Sequence, residues 1–128
     1  MAWLNNELPA ADVVDKLFQD AEAGDLRILL SEVNAGEVFY NLAKDQSRFA
    51  AMEFRTKLPG LPVVLLTPAS DDVWRAADLK SRYPISYADC FAAALALTHD
   101  AELVTGDKDF RKNSIENLRV AWLIRDQK

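Results

Sequence analysis

A chain of 128 residues, half of them hydrophobic, suffices for one domain with its own core and is too short for two. Its net charge of −5 excludes a protein that coats nucleic acid through a general basic surplus, and no apolar run approaches the ~20 residues that span a bilayer. Cys90 is the only cysteine, which excludes an intramolecular disulfide; with no basic-then-apolar leader at the N-terminus, the expectation is a cytoplasmic protein without a membrane partner.

The first predicted element is a helix from Pro9 to Ala23, where Val13, Val14, Leu17, Phe18 and Ala21 recur at helical spacing before Gly24. A short buried strand follows over Arg27 to Ser31, then helices over Ala35 to Lys44 and Ser47 to Leu58, the second stopped by Pro59-Gly60. Leu61 to Thr67 reads as the next strand. Ser70 is placed to cap a helix over Asp71 to Arg82, whose early aspartates suit the positive end of the helix dipole. Ser86 opens the most apolar helix, D-C-F-A-A-A-L-A-L-T, whose small side chains permit close packing on a sheet. Glu102 to Thr105 and Leu118 to Ile124 complete the strands. Alternating strands and helices with short connections predict one α/β domain over residues 1–128, a mainly parallel sheet with helices on both faces.

Glu37, Asp89 and Asp107 lie where strand-like or turn segments give way to helix or loop, and in an alternating α/β chain such points share one edge of the sheet. Each has a structural alternative. Asn34-x-x-Glu37 and Ser86-x-x-Asp89 fit helix-start signatures, and Asp107 and Asp109 follow a strand where aspartates satisfy loop amides. Three carboxylates brought together without a cation would repel one another, whereas Mg²⁺ or Mn²⁺ relieves that repulsion. Such a centre activates water and stabilises charge on a leaving phosphodiester oxygen. Thr105 and Ser86 are hydroxyls placed to position a water or a carboxylate. Lys44, Arg48, Arg55 and Lys57 form one candidate backbone-binding stripe, and Lys108, Arg111 and Lys112 another; their alternative is a solvated charged surface.

Phosphate-loop, dinucleotide, nucleophile-elbow and H-E-x-x-H zinc motifs do not occur in the sequence. His99 falls near a helix end, where the dipole accounts for it. Cys90, in an alanine-rich apolar helix, reads as a small core residue. Trp3, Trp74 and Trp122 are dispersed, as core or interface anchors would be.

The succession L-L-S-E-V-N-A-G-E-V-F-Y, P-I-S-Y-A-D-C-F-A-A-A-L-A and A-E-L-V-T-G-D-K-D-F resembles the PIN-domain nucleases, particularly VapC-type toxins of bacterial toxin-antitoxin pairs, in order and spacing over nearly the whole chain. That resemblance implies a three-layer α/β/α domain, Mg²⁺- or Mn²⁺-dependent cleavage of RNA, homodimerisation and inhibition by a cognate antitoxin. By motif position, Glu37, Asp89 and Asp107 correspond to metal-binding catalytic acids, Asp109 to an auxiliary acid, and Thr105 or Ser86 to a supporting hydroxyl.

One departure concerns the start. Similar proteins begin with a central strand ending in an aspartate, while this chain opens at Met1-Ala2-Trp3-Leu4 already reading as helix. Without that strand its neighbours would stand about 9.6 Å apart, twice the usual spacing. The expectation is therefore partial collapse, replacement by another segment, pairing with a second chain, or a protein that begins upstream of Met1. Two function classes follow: a ribonuclease toxin, and a non-catalytic module that keeps the surface for an antitoxin or for itself. A phosphoacceptor receiver domain is a third, less suited option, since its acid pair should follow a first strand.

Overall fold

Short strands and capped helices set the architecture, three of the described helices being capped by serine. The computed structural model describes residues 16, 18–24, 27–105 and 113–122. Residues 18–22 are helical, and Gly24 follows with φ at 86°, a left-handed conformation that glycine adopts without the Cβ penalty. The rest of the helix predicted from Pro9, with Trp3, lies outside the described residues.

Strand β1 is Leu29–Ser31 and runs straight into helix α1, Glu32–Asp45. Ser31 keeps extended angles while its Oγ accepts the Val33 N–H at 3.2 Å, satisfying one of the orphan donors at a helix start. The helix therefore begins three residues before the predicted Ala35. Asn34 is not its cap and turns inward instead, 1% exposed. Ser47 performs the expected capping for helix α2, Arg48–Lys57, accepting the Ala50 N–H at 3.0 Å. A 3₁₀ turn over Leu58–Gly60 then leads to strand β2, Val64–Leu66.

Helix α3 spans Ser70–Arg82, and its cap position is Ala69, one residue before the predicted Ser70. Ala69 has no capping side chain, so Asp72 reaches back and its Oδ2 accepts the Ala69 N–H at 2.8 Å. Helix α4, Tyr87–Thr98, starts at Ser86 as predicted. Strands β3, Leu103–Thr105, and β4, Val120–Trp122, complete the described elements.

All described strand pairing is parallel: Leu30 lies opposite Leu65 in β1 and β2, and Val104 opposite Ala121 in β3 and β4. Instead of one continuous sheet, the described strands form two separate pairs. Period-2 alternation gives the first pair two faces, on which Leu30 and Ser31 of β1 are buried while Val64 and Leu65 of β2 are exposed. Leu30 packs with Ala35 and Leu58 under α1 and α2, while Ser31 and Leu66 face Phe91 and Leu95 of α4. The expected α/β layering is thus present, but the sheet is divided.

Helix α4 spans the division, packing against both β1 and β3 as well as α1 and α3. Cys90, Ala93 and Ala94 are fully buried on it, with Phe91, Ala92 and Ala96 nearly so. Alanines leave room for close backbone approach, so lengthening one meets a packed interior. Ala93→Leu is expected to destabilise the protein by about 1–3 kcal/mol, an overpacking cost, seen as a lower urea midpoint with an unchanged m-value; an unchanged midpoint would show that α4 has slack against the strand pairs.

Candidate active site

The buried amide of Asn34 joins the two helices that carry the predicted acids. Its Nδ2 donates to the Ala88 carbonyl at 3.0 Å, tying the first turn of α1 to the first turn of α4. Glu37 lies three residues beyond Asn34, one turn along α1, and Asp89 directly follows Ala88. Both acids are half-buried. Glu37 and Asp89 thus lie on the two helices that this bond joins, from positions far apart in sequence.

Ser86 caps α4, its Oγ accepting the Asp89 N–H at 3.1 Å. This hydroxyl fixes the backbone that presents Asp89, a local role that the S-x-x-D spacing anticipates. Helix α4 returns through the tight turn at Asp100, where φ is 50°, and continues into β3. The connection between α4 and β3 is short and the two pack together, with Thr105 the last residue of β3. Asp107 and Asp109, with Lys108, Arg111 and Lys112, lie outside the described residues.

Among the described residues no group of three or more His, Cys, Asp or Glu side chains is arranged to hold a metal ion. What the seam offers is Glu37, Asp89 and the Asn34 amide. Ala88 O can only accept, so the nitrogen of the amide must face it and Oδ1 must point elsewhere. That oxygen is buried without a hydrogen-bond partner, an arrangement that costs about 1–3 kcal/mol when nothing compensates it. Two carboxylates and an under-satisfied amide oxygen are hard oxygen donors. Their chemistry fits Mg²⁺ or Mn²⁺, of which Mg²⁺ commonly takes only one or two protein carboxylates.

Sequence reasoning missed Asn34. Its only signal was an amide on what the helical period makes the inward face of α1, three residues before Glu37. The other weighed residues fall largely where expected. His99 is exposed and occupies the C-cap of α4, and Cys90 is core. Trp74 is a surface residue, 72% exposed, which removes the core alternative and leaves that of an interface anchor. Lys44, Arg48, Arg55 and Lys57 are all exposed, and Lys57 pairs with Glu53 at 3.6 Å.

A family model described as PIN domain matches residues 1–116. The chain belongs to the PIN-domain family. Among solved structures, the PIN domain is similar to a chain of VapBC2 from Rickettsia felis bound to a DNA fragment from its promoter, with a TM-score of 0.69 and 18% identity, covering 93% of this chain and 89% of that one. It is also similar to a chain of a toxin-antitoxin complex from Klebsiella pneumoniae, with a TM-score of 0.54 and 22% identity, covering 75% and 73%. At these identities the likeness is one of fold. No curated protein matches the sequence.

The thiol that follows Asp89 in sequence lies in the core that α4 forms with α3 and β3. Burial pushes the Cys90 pKa above its ordinary value; the nearby Lys80 charge opposes this and the Asp89 carboxylate adds to it. The unfolded thiol ionises first, so above pH about 8.5 the unfolded state binds fewer protons and stability declines as pH rises toward the folded pKa. Denaturant melts between pH 8 and 10 are expected to show this decline in the wild type and a shallower one in Cys90→Ala, with native Cys90 reacting with iodoacetamide more slowly than in urea.

Proposed function

We propose that this PIN domain, residues 1–128 acting as one unit, is a VapC-type endoribonuclease toxin of a type II toxin-antitoxin pair. It hydrolyses RNA phosphodiesters with Mg²⁺ or Mn²⁺ held by Glu37, Asp89 and Asp107, and Asp109, Thr105 and Ser86 support them. The observation that carries the reading is the seam itself: a buried side-chain bond between α1 and α4 with an acid beside each end, in a chain of the PIN family. The structural neighbours, a VapBC2 chain and a chain of a toxin-antitoxin complex, support the biological context.

When bound, the cation would polarise the phosphodiester and make a water acidic enough to attack at neutral pH. The chain's own part is to hold oxygen donors in place. Ser86 keeps the Asp89 backbone fixed, and α1 carries Glu37 on a rigid, capped element rather than on a loop. Exposed Arg48 and Arg55 on α2 supply positive charge for an RNA backbone on a chain that is negative overall.

The antitoxin would use a groove between α1, α2 and β2. A cavity of about 330 Å³ there is lined by Phe39, Phe54, Leu58 and Leu65, with Glu32 and Arg55 among its polar members. Phe49, 76% exposed, offers a further apolar anchor on α2. A second copy of the chain is the other partner we assign, with exposed Trp74 on α3 as an anchor. The same groove favours the alternative of a non-catalytic binding module, which predicts antitoxin capture without turnover.

RNA cleavage is expected to require Mg²⁺ or Mn²⁺, to stop with EDTA, and to fall by about 100-fold or more in Glu37→Gln and in Asp89→Asn, the scale seen when one electrostatic stabiliser is removed. Cleavage that persists unchanged in both variants would overturn the site; antitoxin binding with no metal uptake would leave the binding module. Leu65→Arg is expected to abolish co-purification with the cognate antitoxin while basal cleavage stays at the wild-type rate, measured by pull-down and by a fluorescent RNA assay.

A further inference from the structure

Asn34 is one of two buried polar residues among those described, and the other, Ser31, is explained by its helix cap. It is also among the largest side chains that are fully buried, beside Leu30, Val38, Ile85 and Cys90. An apolar side chain of similar volume would fill that space without burying an amide. Instead the amide bonds to a carbonyl inside another helix. Ala88 O sits in the first turn of α4 and has a second lone pair for a donor from outside its own helix.

A bond of this kind fixes two things at once. Sliding α4 by one residue, about 1.5 Å, would move Ala88 O away from Nδ2, and rotating α4 by one residue would turn that carbonyl out of reach. Apolar packing between α1 and α4 is non-directional and sets neither so sharply, least of all with alanines along α4. Since Glu37 is one turn from Asn34 and Asp89 is the residue after Ala88, the bond fixes the register between the two carboxylates. Oδ1, buried and unpartnered, adds a partial negative charge at the same place.

We infer that Asn34 is a positioning residue for the cation site: through its bond to Ala88 O it sets the separation of Glu37 and Asp89, and thereby the affinity for a divalent cation. The inference rests on the metal-dependent reading above and goes beyond it by naming a non-carboxylate residue on which the site depends. In metal sites, residues that orient ligands typically change affinity by about 10–100-fold when removed.

Two measurements on the full chain test it, both read without turnover. In wild-type protein titrated with Mg²⁺ and followed by ¹H–¹⁵N NMR, the Asn34 side-chain NH₂ signals are expected to shift with the same half-saturation as the Glu37 and Asp89 backbone amides. In Asn34→Leu, which keeps the branched heavy-atom outline and loses the bond, Mn²⁺ affinity by calorimetry is expected to fall about 10–100-fold, while Ser47→Ala, which removes a distant helix cap, leaves it unchanged. Shifts at Glu37 and Asp89 with a silent Asn34 side chain, or wild-type Mn²⁺ affinity in Asn34→Leu, would overturn the positioning role alone. An equal loss in Ser47→Ala would assign the effect to general stability and overturn it too. If Asn34→Leu does not fold, the wild-type titration decides. No response at Glu37 or Asp89 would overturn the metal reading and this inference with it.

Discussion

Everything described here hangs on one helix of small side chains. Helix α4 packs against both strand pairs and against α1 and α3, and it does so through alanines and a cysteine that let four elements approach the same cylinder. The two pairs of strands are not joined by backbone hydrogen bonds in the described residues, so their relation to each other rests on side-chain packing with α4. Packing of this sort is dense and intolerant of added volume, which compensates in part for the directional bonds that a continuous sheet would supply.

The same helix presents the chemistry. Its N-terminus is held by Ser86 and carries Asp89 in the first turn, where the macrodipole favours a negative charge. Across the seam, α1 is held just as firmly by Ser31 and carries Glu37. Between them the Asn34 amide supplies a directional contact from α1 to α4. A pair of rigid elements with a specific bond is the arrangement that holds side chains in place better than loops do.

Much of the fold was legible in local chemistry. Ser47, Ser86 and the Pro59-Gly60 pair marked boundaries that the structure keeps, because caps and breakers act through atoms only a few residues away. The start of α1 was misplaced because two hydroxyl or amide residues, Ser31 and Asn34, both fit a cap, and only burial decides between them. Ser70 lost its predicted role for a related reason: Asp72 satisfies the Ala69 N–H from inside the helix. Trp74 shows the opposite limit, since nothing in a sequence says which face of an amphipathic helix a lone tryptophan will take.

For the candidate site, residue types and spacing by themselves singled out Glu37 and Asp89 as candidates, and the structure sets Glu37 in the second turn of α1 and Asp89 in the first turn of α4, which follows α3 rather than a strand. The order of elements is encoded directly in the hydrophobic pattern, and it fixes which helix carries each acid. Tertiary structure alone decided that α4 bridges the two strand pairs, and that Asn34 reaches Ala88 across 54 positions. A hydrogen bond over that span depends on the register of two helices, and register follows from how side chains interlock in three dimensions rather than from any local signal along the chain.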